Sequence, residues 1–307
     1  MWHPISVLKP HADSGLIFGL SAYILWGLLP LYLVLLTPAM PLEVAGLRVI
    51  WTNLFCLLIL VLRRDWSWFS SQLLTLKTLL GLVLAAGLLA INWGVYIYAV
   101  ATNRAAEGAL GYFLNPLVSV ALGVVILGER LRRNQWIAVG IAAFAGGYLV
   151  LVTGGLPWIA IVLSVAFAIY GLIKKRTQIT LAPIPALWLE TAFILPVAFG
   201  VLGWLQSSNG LSWPSVSWQH TLLIIGLGPV TAIPLLLFAQ AARTLQLTTL
   251  GMLQFVAPTL HLVIAVWIFH EPVSGHRWLA FILVWISLVL LTWDAVWQQT
   301  RSKNPKS

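Results

Sequence analysis

Six stretches of this chain hold no Asp, Glu, Lys or Arg: residues 14–42, 78–103, 108–128, 134–173, 191–242 and 244–270. Each is long enough for an α-helix to cross the hydrocarbon core of a bilayer, which takes about 20 apolar residues. Hydrophobic residues make up 60% of the 307 and charged residues 8%, where a soluble domain carries roughly 25% charged residues. The chain therefore reads as an all-α integral membrane protein, because in lipid every backbone polar group must find its partner within the segment.

The net charge of +9 does not point to nucleic acid, because the basic residues sit in short clusters at the ends of apolar segments. Polar and Pro/Gly-rich connections divide the chain into ten spans, starting near Ser14, Leu42, Thr78, Ala105, Asn134, Pro157, Ile184, His220, Leu247 and Gly275. An even number of spans puts both termini on one side. With that side cytoplasmic, fourteen of the 17 Lys and Arg residues fall inside, Arg104 and Arg277 outside, and Arg48 within a span. The first apolar run is longer than a signal-peptide core of ~7–15 residues, so it is expected to stay as a helix. Cys56, the single cysteine, can form no intramolecular disulfide and reads as a packing residue.

Aligned on itself at a separation of 142, the chain repeats weakly: Thr102 matches Thr244, Phe113 Phe255, Pro116 Pro258, Glu129 Glu271 and Trp136 Trp278. Five spans per copy is an odd number, so the second copy must cross the membrane inverted. The expected organisation is a cytoplasmic N-terminus (1–13), a first five-helix repeat (14–153), an inverted second repeat (154–297) and a cytoplasmic C-terminal tail (298–307).

No phosphate-binding loop, zinc-ligand pattern or nucleophile elbow occurs, so no catalytic residue, metal ligand or cofactor is expected and the chain does not read as an enzyme. The candidate site lies at two proline-interrupted helices in matching positions. Pro116 disturbs the carbonyl of Tyr112, and Pro258 that of Gln254, the repeat mate of Tyr112. Tyr112, Asn115 and Ser119 share one helical face, as do Gln254 and His261. These polar groups could line a cavity or bond between helices; His261 by itself would suit a core position. Asn92, Trp93 and Tyr96 on the third span form an amide and aromatic group suited to a flat or amphiphilic solute, or an interfacial belt. Arg48 and Glu190, opposite in sign, are also 142 apart. A charge at a span's centre costs roughly 2.5–3.5 kcal/mol on insertion scales, so each is a candidate counter-ion or gate, or else a structural or snorkelling residue. Glu129 and Glu271, at helix ends, suit caps or loop contacts.

The strings Gly19-Leu20-Ser21-Ala22-Tyr23-Ile24-Leu25-Trp26-Gly27-Leu28-Leu29-Pro30-Leu31-Tyr32, Gly111-Tyr112-Phe113-Leu114-Asn115-Pro116-Leu117 with Gly128-Glu129-Arg130-Leu131, and Ala257-Pro258-Thr259 with Glu271-Pro272 resemble the RarD branch of the EamA-type permeases, in the drug/metabolite transporter superfamily. The resemblance covers about Gly15 to Trp293. It implies ten helices in two EamA repeats, a bacterial inner-membrane location and a "chloramphenicol-sensitive" permease label. The chain departs from the family pattern at Leu47, where a His precedes the Arg, and at Ala101, where an Asn is usual. The function expected is secondary transport of a small organic metabolite or drug by alternating access, with the bilayer and that solute as partners. The alternative is a non-transporting membrane sensor or assembly component.

The charge pattern predicts an inactive alkaline phosphatase fusion after Arg176 and a C-terminal tail shielded from periplasmic labels. Phosphatase activity at the first position, or labelling of the tail, would overturn the span count.

Overall fold

The computed structural model describes residues 12–64, 66–69, 75–102, 104–152, 158–177, 181–208, 210–270 and 272–303. The described residues form eleven α-helices and no strand. Five make the first half: α1 (Ala12–Val34), α2 (Pro41–Arg63), α3 (Leu76–Ala101), α4 (Ala105–Leu127) and α5 (Arg133–Val152). Six make the second: α6 (Trp158–Thr177), α7 (Pro183–Ser208), α8 (Trp218–Thr244), α9 (Leu247–Leu253), α10 (Val256–Trp267) and α11 (Gly275–Lys303).

Nine spans among the described residues are long and apolar enough to cross a membrane, α9 and α10 together counting as one; α11 carries a shorter apolar stretch, Gly275–Leu290. The helix starts follow the local chemistry. Pro41 opens α2, where its missing N–H costs nothing. Thr75 and Ser217 cap α3 and α8 by accepting from the amides of Thr78 at 3.3 Å and His220 at 3.1 Å. Gly128 ends α4 at φ 66°, a conformation that only a residue without Cβ takes at no steric cost. The last helix runs past 297, the expected end of the second repeat, to Lys303, because its polar end holds good helix formers and meets no proline before Pro305.

The two halves are interleaved rather than side by side. The largest packing partners of the first five helices all belong to the second half: α1 lies on α8 and α10, α2 on α7 and α8, α3 on α6 and α7, α4 on α6 and α9, and α5 on α11. Exchanging each helix for its counterpart turns this pairing into itself, as a two-fold axis would. Phe113 and Phe255, which occupy matching positions, meet with ring centroids 5.6 Å apart. Large apolar side chains on the outer faces are exposed, among them Leu58, Val125, Phe144, Leu151, Val197 and Val289, as a lipid-facing perimeter requires.

Small residues set the closest approaches. A Cβ on Gly251 would lie 2.9 Å from Ser119 Cβ and 3.0 Å from the Pro116 carbonyl oxygen, so α9 sits on α4 only because that position is glycine. Gly147 on α5 has open space around it. Gly251→Ala should therefore lower the melting temperature of the purified protein, at a cost of about 1–3 kcal/mol, while Gly147→Ala should leave it unchanged or slightly raised. Equal melting curves for the two variants would contradict this packing.

Candidate functional site

A cavity of about 370 Å³ lies between the halves, within the volume range of small-molecule sites. The first half lines it with α1 to α4, and the second with α6, α8, Gln254 and α10. Eight of the ten residues offered from the sequence as cavity, counter-ion or gate candidates line it: Arg48, Asn92, Trp93, Tyr96, Tyr112, Asn115, Gln254 and His261. Ser119 and Glu190 are not among the lining residues.

The proline pair shapes this space unequally. Around Pro116, α4 remains one helix. Near Pro258 the span breaks, and the amides of Gln254 and Phe255 bond back to Gly251 and Met252, three residues earlier, at 3.1 and 3.3 Å. The Gln254 carbonyl, expected to be left free by Pro258, accepts from the Ala257 amide at 3.2 Å. Tightening to three-residue turns has re-satisfied it, so the kink offers the Gln254 side chain to the cavity rather than an orphan carbonyl. The amino end of α9, which has no side-chain cap from Gln246, is held by Glu129, whose carboxylate accepts from the amides of Leu247 at 2.7 Å and Thr248 at 2.8 Å. Lys175 lies 3.7 Å from the same carboxylate. Glu271 lies outside the described residues.

Several candidates are tied into the walls. Asn92 donates to the Leu163 carbonyl at 3.1 Å, and His261 Nε2 to the Trp26 carbonyl at 3.1 Å. The Tyr96 and Tyr112 rings stand 5.5 Å apart. Arg48 donates from Nε to Thr231 Oγ1 at 2.8 Å, and its guanidinium carbon lies 4.6 Å from the Trp93 ring centroid. The buried oxygens of Asn115 and Gln254, Oδ1 and Oε1, make no hydrogen bond to another protein group, and neither does the hydroxyl of Tyr23, which also lines the cavity.

Toward one end the cavity reaches Ala39 and Pro41, in the α1–α2 region, and Val100 near the end of α3. At the other end it meets an aromatic group from three helices: Tyr23 and Trp26 of α1, Phe167 and Tyr170 of α6, and Phe238 of α8. Tyr170 and Phe238 are stacked at 6.0 Å, and Trp26 and Phe167 are 5.7 Å apart. Sequence reading passed over Tyr23 and Phe167 as lining residues, because a lone aromatic in an apolar run carries no sign of which helix faces it.

The EamA-like transporter family matches the chain twice, over residues 13–152 and 155–293. This chain belongs to the EamA-like transporter family. It is 42% identical to the protein RarD of Streptomyces exfoliatus, over 94% of this chain and 91% of that one. It is 39% identical to the uncharacterized transporter YojE of Bacillus subtilis (strain 168), over 96% and 99%, and 36% identical to RarD of Escherichia coli (strain K12), over 95% and 98%. A solved crystal structure shares the fold, with a TM-score of 0.69 at 21% identity over 92% of this chain and 98% of that one. The protein is thus a RarD-type EamA permease, a multi-pass membrane transporter of bacterial type.

In this permease Glu190 is engaged away from the cavity. It accepts from Lys174 Nζ at 2.6 Å and from the Tyr170 hydroxyl at 3.4 Å, with Glu190 and Lys174 both buried. Lys174, one of the fourteen basic residues expected toward the cytoplasmic side, lies within α6 with its side chain buried in the protein. Residue type could not reveal this, because Lys174, Lys175 and Arg176 are consecutive and only helix rotation separates them. Arg48 and Glu190, though repeat mates, thus have different partners.

A buried ion pair costs most when one partner is removed. Lys174→Met should destabilise the permease by about 3–5 kcal/mol, and Lys174→Met with Glu190→Leu should recover much of that loss. The melting temperatures of the purified single and double variants read this out; a double variant less stable than both single ones would contradict the assignment.

Proposed function

We propose that this permease is a secondary transporter that carries a small organic solute through the central cavity by alternating access. The carrying observation is that both halves line one cavity, with Gln254 of the broken span and Tyr112 and Asn115 of the proline-bearing α4, which packs against α9, all in its lining. In the proposed arrangement the chain makes ten spans, α11 being the tenth, in two inverted five-helix repeats with both termini cytoplasmic. The self-matching helix pairing and the doubled family match support this reading.

With that orientation, the end of the cavity at Ala39, Pro41 and Val100 faces the periplasm, and the aromatic group around Tyr170 and Phe238 closes the cytoplasmic end. Rocking one half against the other would part those rings and close the opposite end. Asn92, Trp93, Tyr96, Tyr112, Asn115, Gln254 and His261 are the proposed contact residues, and Arg48 the proposed counter-ion. Glu190, with Lys174, is left to hold α6 to α7. No cofactor enters this scheme, and energy comes from a solute or ion gradient.

Alternating access is testable before the solute is known. Single cysteines at Tyr96 and His261, one from each half, in a Cys56→Ser background, should react with a membrane-impermeant thiol reagent in right-side-out vesicles and also in inside-out vesicles. Reaction from one side only would favour a fixed sensor or assembly component; reaction from neither would remove the cavity from the transport path.

A further inference from the structure

The cavity's polar groups define the charge of what enters it. Among the described residues that line the cavity, Arg48 is the one charged side chain. Its hydrogen bonding ends at Nε, which donates to Thr231, while one face of the guanidinium is covered by Trp93. No carboxylate among the described residues lies within ion-pair distance of it. The two buried carboxylates among the described residues are engaged elsewhere. Glu43, five residues earlier on α2, accepts from Ser212 Oγ at 2.9 Å and from the Trp213 amide at 2.9 Å, and Glu190 is paired with Lys174.

A guanidinium held at membrane depth without a counter-ion is costly, and Thr231 is neutral. The donors on the two terminal nitrogens form a planar fork that matches a carboxylate in a two-bond contact. Around this one charge the walls are aromatic: Trp26, Trp93, Tyr96, Tyr112 and Phe167. Resting on the transport reading above, we infer that the solute is a singly charged organic anion with a flat apolar body, its carboxylate bound by Arg48 and its body held between the aromatic side chains. A second negative charge would find no second cation in the described lining, and a cationic solute would meet Arg48 as a like charge.

Binding to the purified full-length permease separates charge from shape. The probes are three carboxylate and amide pairs: benzoate and benzamide, phenylacetate and phenylacetamide, and N-benzoylglycinate and its primary amide, with benzylamine as the cation. At least one carboxylate should bind about tenfold or more tightly than its amide, and benzylamine should not bind. Arg48→Gln should erase the difference within that pair, and Arg48→Lys should keep the preference with weaker binding. The wild-type comparison stands even if the variants fail to fold. Amides that bind as well as the acids, tighter binding of benzylamine, or no binding by any carboxylate would each overturn the inference. The first two results would leave the transport reading intact, and the two-sided cysteine reactivity judges that reading separately.

Discussion

The permease is organised by the cost of leaving a polar group unsatisfied in hydrocarbon. Helices are the local solution, and at the broken span and at the buried carboxylates among the described residues the protein supplies the partner. The broken span between α9 and α10 shows this most clearly. Three-residue turns take up the carbonyl that Pro258 releases, and Glu129 caps the seven-residue α9, which is too short to tolerate an uncapped end. Glu43 and Glu190 obey the same rule, the first with a serine hydroxyl and a backbone amide, the second with Lys174 and Tyr170.

Against that background Arg48 is an exception, and it is the residue proposed above as the solute's counter-ion. Its neighbours Thr231 and Trp93 fix the position of the guanidinium without neutralising it. The unpartnered oxygens of Asn115 and Gln254 fall in the same cavity. As acceptors these two oxygens call for a hydrogen-bond donor, whereas the Arg48 guanidinium calls for an acceptor. Rigid elements hold these groups: α2 and α3 place Arg48 and Trp93, α4 places Tyr112 and Asn115, and the break in the ninth span presents Gln254.

Much of this was legible in the residues. Helix starts were marked by proline, glycine and capping residues, so each of the ten expected starts has an observed helix start within two residues, from Pro41 for Leu42 to Trp218 for His220, while the extra start at Val256 comes from the break in the ninth span. The cavity residues announced themselves because Asn, Gln, His and Arg are rare inside spans, and the matching prolines singled out two of the helices. Features that depend on helix rotation were hidden. Lys174 reads like its basic neighbours, Glu43 like an ordinary first-turn acid, and Tyr23 like any aromatic in an apolar run. The two matched prolines also gave different outcomes, a continuous α4 and a broken ninth span. Glu129 caps the short α9 beyond the break, a contact supplied by the tertiary fold.

The central claim is that solute moves through the cavity between the halves. The direct measurement is counterflow in proteoliposomes: purified permease in vesicles loaded with whichever of the three carboxylates binds most tightly, unlabelled, and diluted into a trace of the same compound labelled. The account predicts a transient accumulation of label above that in protein-free vesicles, absent with Arg48→Gln. Uptake no faster than in protein-free vesicles, with this carboxylate and equally with its amide, would contradict it.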